Sequence, residues 1–196
     1  TVRGEGAILV NQQGERFYNE LETRDNVSAA ITDLPESYAY LIFDNALAGR
    51  AKQVDYYKEQ GVVVEADTIE ALAEKIDVDP ATLKKTLDTW NQAVADKADK
   101  DFGRETAMDY DLTEGPFYAI QIAPGIHHTM GGVKINTKTQ VLKEDGTPIT
   151  GLYAAGEVTG GIHGQNRIGG NAVADIMVFG RQAGAQSSDY VKENGK

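Results

Sequence analysis

Residues 156–171 read "GEVTGGIHGQNRIGGN", six glycines around one carboxylate, one histidine and one arginine. A turn uses one or two glycines; a run this dense keeps backbone bare so that another group can approach it closely. The stretch follows the short apolar run "LYAA" and leads through Asn171 into "NAVADIMVFGRQAG", which has helical spacing. Strand, glycine-rich turn and helix together make a junction suited to a ligand. Glu157, at the strand end, can accept hydrogen bonds from a ribose hydroxyl. The helix start offers free N–H groups and partial positive charge to an anion or to the polar edge of a cofactor ring. Arg167, just before that helix, suits two-point pairing with a carboxylate. Taken alone, the pattern fits equally well a turn that merely redirects the chain around a structural arginine.

Upstream of this junction, "FYAIQIA", "IHHTMGG", "VKINTKTQVL" and "LYAAG" read as short strands separated by Gly, Asn and Pro turns, and a last helix runs from about 171 to 190. The first half has a different texture. "AILVN" and "RFYNE" read as a hairpin turning at "QQGE", and "TRDNVSAAITDL" as a helix capped by Asp25 or a neighbour. "YAYLIFDN" and "VVVEAD" read as strands. "DTIEALAEKI" and "DPATLKKTLDTWNQAVADK" read as helices, the second with Asp79 as N-cap and Pro80 in the first helical position. Its Leu83, Leu87, Trp90 and Val94 share one face, the mark of core packing. The polar stretch 95–115 reads as a linker. The fold class is therefore α+β: a mixed module to about residue 115, then a β-rich, glycine-rich segment, 116–196, that ends in a helix.

Composition narrows the function classes. Nineteen basic against 30 acidic residues leave a formal charge of −11, a poor match to nucleic acid or an anionic membrane. The absence of cysteine excludes disulfides, thiolate metal sites and a Cys nucleophile within these residues, and leaves the compartment unread. No apolar run reaches the roughly 18 residues of a membrane span. The Thr-Val-Arg start, without Met or a leader, reads as the interior of a longer chain.

Two further clusters carry chemistry. His127 and His128 in "IHHTMGG" would face opposite sides of an extended strand, so one can meet a substrate while the other meets the next layer. A pair of structural, hydrogen-bonded histidines is the alternative; no carboxylate lies at metal-ligand spacing, so no metal is expected. In "GERFYNELETRD", Arg16 and Arg24 lie among Glu20, Glu22 and Asp25, and the ordinary reading is a solvated charge network.

Together "VRGEGAILVNQQGERFYNELETRD", "APGIHHTMGGVKINT" and "GLYAAGEVTGGIHGQNRIGGNAVADIMVFGRQAG" resemble the flavoprotein fumarate reductases of the flavocytochrome c type, over about Val2 to Ala185. The last block is specific to that group and to related FAD enzymes that reduce other unsaturated acids. The resemblance implies a capping domain over residues 1–115 and, over 116–196, the C-terminal part of a split FAD-binding domain. FAD would be only partly enclosed by these residues. The missing partners would be the N-terminal FAD-binding half and an upstream electron donor, a haem, FMN or NADH module.

Carried over by motif, Arg24 matches the arginine that protonates the substrate, and Arg3 one that resupplies the proton. His127 and Arg167 match the two carboxylate clamps, and Gly170 lies where backbone reaches the substrate. His128, Glu157, Ala172 and Val173 match flavin-contacting positions. Gln165 stands where the family often has Ala, which changes the lining beside Arg167. The activity so implied is hydride transfer from flavin N5 to fumarate, with a proton from Arg24, giving succinate. Alternatives are a sister reductase of urocanate, acrylate or a cinnamate-like acid, or a cap-and-interface fragment inactive by itself. Localisation is unread.

Overall fold

Four apolar runs, β1 (Ile8–Val10), β2 (Ala39–Asp44), β3 (Val63–Ala66) and β4 (Phe117–Ile122), form an antiparallel sheet in the order β1-β2-β4-β3. The computed structural model describes residues 2–195 and resolves into two compact units that divide between Pro124 and Gly125. That division lies later than the expected 115/116, for a simple reason. Strand β4 pairs with β2 on one side and β3 on the other, so 117–122 are interior to the first sheet.

The first unit also contains a short 3-10 turn at Val2–Glu5 and five helices: α1 (Arg24–Thr32), α2 (Asn45–Arg50), α3 (Gln53–Glu59), α4 (Ile69–Lys75) and α5 (Pro80–Asp96). Helix α5 starts as its sequence implies: Asp79 Oδ2 accepts the Thr82 N–H at 2.8 Å, and Pro80 follows. Its Leu83, Leu87, Trp90 and Val94 are all buried. Helix α1 differs slightly from expectation, with Thr23 as N-cap and no side-chain capping bond. Helices α2 and α3 have no strong periodicity. Tertiary contacts place α2: buried Asp44, the last residue of β2, accepts from Leu47 N at 2.9 Å and, through its other oxygen, from Thr113 N and Glu114 N at 3.2 and 3.1 Å.

Two expectations fail here together. "RFYNE" is not a strand; beyond a single bridge between Val10 and Arg16 the chain turns so that Glu20 points inward. The stretch 95–115 is not a linker either, because Asp99, Arg104, Met108 and Leu112 are buried. The cause of both is one ionic array. Glu20 Oε1 accepts from Leu9 N at 3.2 Å and Arg16 Nε at 2.8 Å; Oε2 accepts from Arg16 Nη2 at 3.0 Å and Arg104 Nη1 at 3.3 Å. Arg16 also pairs with both Asp99 oxygens, at 3.2 and 2.9 Å.

Arg104 uses all five of its N–H groups: on Glu20 and on the carbonyls of Ala7, Arg3, Thr106 and Ala107. The free edge of β1, which a hairpin partner would have covered, is thus occupied by Glu20 and Arg104. Both guanidinium groups also lie against the Trp90 ring, Arg16 at 4.7 Å and Arg104 at 4.6 Å from its centroid. Of the charge cluster expected to be solvated, Arg16 and Glu20 are therefore buried, while Glu22, Arg24 and Asp25 are exposed as expected.

The second unit is built differently. Strands β5 (Gln140–Leu142) and β6 (Pro148–Tyr153) form an antiparallel pair, and α6 (Asn171–Asn194) follows. "IHHTMGG" is an irregular loop and not the expected strand. Among the described residues of this unit, Val141 is the one apolar side chain that is buried, and α6 buries only Asp175. Among the described residues no helix is long and apolar enough to cross a membrane.

Truncating one partner of a buried ion pair typically costs ~3–5 kcal/mol. Arg104→Ala should lower the unfolding free energy by about that amount, read from Trp90 fluorescence in urea. A loss near ~0.5 kcal/mol, the scale of a surface pair, would contradict the array's role. A second outcome concerns acid. Burial pushes the Asp99 carboxyl up, but the Arg16 hydrogen bond and charge and the N–H groups of Arg104 and Phe102 outweigh it and hold it below the usual range. A depressed folded-state pKa contributes stability above the unfolded value, roughly 3.9, and loses it as pH falls through the folded one. The urea midpoint should therefore fall below about pH 4, and Asp99→Asn should flatten that decline.

Candidate functional site

The glycine-rich junction divides its glycines between two tasks. Gly132 and Gly160 let the chain cross itself: a Cβ on Gly132 would lie 2.2 Å from the Val158 carbonyl oxygen, and one on Gly160 2.7 Å from Gly132 N. Around that crossing Val133 N donates to Val158 O at 2.9 Å and Gly160 N to Val133 O at 3.0 Å. By contrast Gly161, Gly164 and Gly170 have left-handed φ of 91°, 63° and 88° and open space where a Cβ would be. Only the second group keeps backbone bare toward an outside ligand.

On this frame Glu157 is exposed but oriented. Its Oε1 accepts from Thr129 N at 2.8 Å and Thr129 Oγ1 at 2.7 Å, and His128 Nδ1 lies 3.5 Å from Oε2. The Thr129 N–H, then its hydroxyl, then the nearby His128 and His127 hold the Glu157 carboxyl below its usual range. It is an anion ready to accept hydroxyl or ring N–H donors. His128 is packed edge-to-face against His163, ring centroids 5.5 Å apart, and His163 Nε2 meets Asp175 Oδ2 at 3.0 Å. His127 next to it is exposed.

Arg167 is buried; its Nη1 donates to the Ile168 carbonyl at 3.2 Å, while its Nε is buried without a partner. Helix α6 begins behind Gly170 with no side-chain cap, and Ala172 and Val173 lie in its first turn. An unsatisfied guanidinium N–H beside an uncapped helix start is a strong anion-attracting arrangement.

The first unit brings Arg3 and Arg24 together. Arg3 Nη1 donates to the Glu20 carbonyl at 2.9 Å, and Arg104 Nη2 donates to the Arg3 carbonyl at 3.1 Å. Burial and then the charge of Arg24 lower the Arg3 pKa, with Glu20 acting in the opposite sense. Arg24 is exposed and is the first residue of α1, at the positive end of its dipole. Two guanidinium groups and a helix start make this the natural place in the unit for an anion.

Sequence reasoning missed Thr129, His163, Asp175 and the positioning pair Glu20 and Arg104. His163 was in view inside the glycine-rich stretch, but its partner lies twelve residues on, across a turn, where no spacing rule applies.

Residues 1–173 match the model of the FAD binding domain. The chain belongs to that family. FAD is the family's cofactor, and the residues present fit it: Glu157 with an exposed carboxylate, the unpartnered Arg167 Nε, three glycines with open space and the uncapped start of α6. The chain is 57% identical over 188 residues to an NADH:fumarate oxidoreductase of Klebsiella pneumoniae (strain 342), covering 96% of this chain and 20% of that protein. It is 43% identical over 192 residues to an NADH:acrylate oxidoreductase of Vibrio harveyi, covering 95% and 19%. Among solved structures it resembles the open conformation of a flavocytochrome c3 fumarate reductase, at 50% identity and a TM-score of 0.82, covering 96% of this chain and 33% of that one. The chain thus spans a third or less of each of these proteins.

The backbone crossing has a direct test. Gly132→Ala places a methyl inside a carbonyl contact and should destabilise the second unit well beyond Gly146→Ala, whose site is also left-handed (φ 80°) but open and costs about 1 kcal/mol. Circular-dichroism melting of the intact protein compares the two; equal effects would show that the crossing yields easily.

Proposed function

We propose that the chain belongs to an FAD-dependent fumarate reductase, with residues before the Pro124–Gly125 division forming its substrate-capping domain and those after it the C-terminal part of its FAD-binding domain. The observation that carries the reading is Arg167: buried, with an unpaired Nε, next to the open helix start at Gly170. A buried guanidinium N–H left without an acceptor is costly, and a ligand carboxylate is the group that satisfies it.

When bound, FAD supplies a hydride to one alkene carbon. The rest is done by this chain. Arg167 and exposed His127 hold the two carboxylates, with backbone at Gly170 completing the grip. Holding both ends fixes the double bond for reaction. His128, Glu157, Ala172 and Val173 face the cofactor. Arg24 gives the second carbon its proton, and Arg3 replaces it; the lowered Arg3 pKa favours passing a proton on.

The apolar side chains on α6 support a further part of the reading. Val173, Ile176, Met177 and Val178 are more than half exposed on a helix of 24 residues, a patch that calls for cover by more protein. We assign that cover to the rest of the FAD-binding domain, with electrons supplied by a further domain or partner, and expect the chain by itself to be inactive. A reductase of a monocarboxylate is the second reading, favoured by the likeness to the acrylate enzyme. It would leave one clamp without a carboxylate.

Arg24→Ala in the intact protein should cut fumarate turnover by roughly 10²–10⁴-fold, the usual share of a general acid, with FAD content unchanged. Loss of FAD along with activity would mean that Arg24 is structural.

A further inference from the structure

Asp175 is the only buried residue of α6, and it is a carboxylate. One of its oxygens meets His163 Nε2 at 3.0 Å; the other is buried without a partner. Burying a carboxylate is costly, so its one strong contact must fix something. The contact fixes a ring. With Nε2 directed at the carboxylate, His163 is held in one orientation, its ring edge-to-face with His128 at 5.5 Å and an interplanar angle of 74°. His128 is nearly enclosed, between His163 on one side and Glu157 Oε2, 3.5 Å from its Nδ1, on the other. Glu157 is in turn fixed by the backbone and hydroxyl of Thr129. The row Asp175–His163–His128–Glu157–Thr129 therefore links the first turns of α6 to the irregular loop 127–129.

We infer that Asp175 and His163 are positioning residues that brace this loop, so that His127 and His128 are presented correctly to substrate and cofactor. The inference rests on the function proposed above, since it is there that those two histidines receive their roles. Its physical basis is how little else supports the loop beyond the Thr129–Glu157 hydrogen bonds and the backbone crossing at Gly132. The loop has no strand pairing at 126–132, and the unit has almost no apolar core to pack it against. Without the brace, the two histidines are held only through Thr129 and the crossing at Gly132, and misplacement by about 1 Å can cost on the order of 100-fold in a reaction.

The test compares Asp175→Ala with Asp175→Asn in the intact protein. Asparagine keeps a carbonyl acceptor for His163 Nε2–H and removes only the charge. A brace predicts retained FAD, a fumarate KM raised roughly tenfold by Asp175→Ala with a smaller change in kcat, and recovery of most of that loss by Asp175→Asn. Unchanged KM in Asp175→Ala, or no recovery by asparagine, overturns it. The 15N–1H spectrum of the histidine rings gives a reading that needs neither variants nor substrate: His163 must carry its proton on Nε2, and an unprotonated Nε2 overturns the brace even if Asp175→Ala fails to fold. Because that spectrum is recorded without fumarate, failure of the brace is distinguishable from failure of the fumarate reading.

Discussion

The first unit depends on one buried guanidinium. Arg104 has all five N–H groups engaged, four on backbone carbonyls drawn from residues 3, 7, 106 and 107 and one on Glu20. Its positive charge is burial-disfavoured, which lowers its pKa, and Glu20 opposes that shift. Such an arrangement contributes little net stability compared with an apolar replacement of the whole set, yet it is strongly specific. Remove one member and several polar groups lose their partner at once. The array also reaches the candidate site, since Arg104 holds the Arg3 backbone and Glu20 accepts from the Arg3 side chain. Under the proposed function, fold and chemistry would share the same hydrogen bonds there.

The second unit has the opposite economy. It has almost no buried apolar side chains, and its order comes from backbone crossings at Gly132 and Gly160, from Asn136 and Thr129 hydrogen bonds, and from the Asp175–His163 contact. A segment of this kind keeps its polar groups and bare backbone outward, as a ligand surface requires, and depends on neighbours for hydrophobic cover.

What was legible in the sequence follows from range. Helix α5 was readable because its cap, its proline and its apolar stripe all lie within seventeen residues. Strands β2 and β4 were readable because both are apolar runs. The ionic array was not, because Arg104 finds Glu20 from 84 residues away and polar composition over 95–115 imitates a linker. Helix α2 was hidden for the same reason, its N-terminus being organised by an aspartate that also serves Thr113 and Glu114. In the candidate site, Glu157 and Arg167 could be picked out by type and position, and Gly170 by the family resemblance. Their division of labour could not: which glycines serve the protein's own crossing is a three-dimensional fact. The histidine pair was placed on a strand that does not exist, so the argument from alternating faces gives way to one exposed and one enclosed ring.

The central claim is that two carboxylates of one small substrate are held by this chain's residues beside a bound flavin. Stopped-flow reoxidation of the chemically reduced flavin in the intact protein, by fumarate and by acrylate, tests it most directly. The account predicts rapid reoxidation by fumarate and a rate with acrylate lower by roughly a hundredfold or more, because a polar clamp would be left unpaired. Equal or faster reoxidation by acrylate would contradict it.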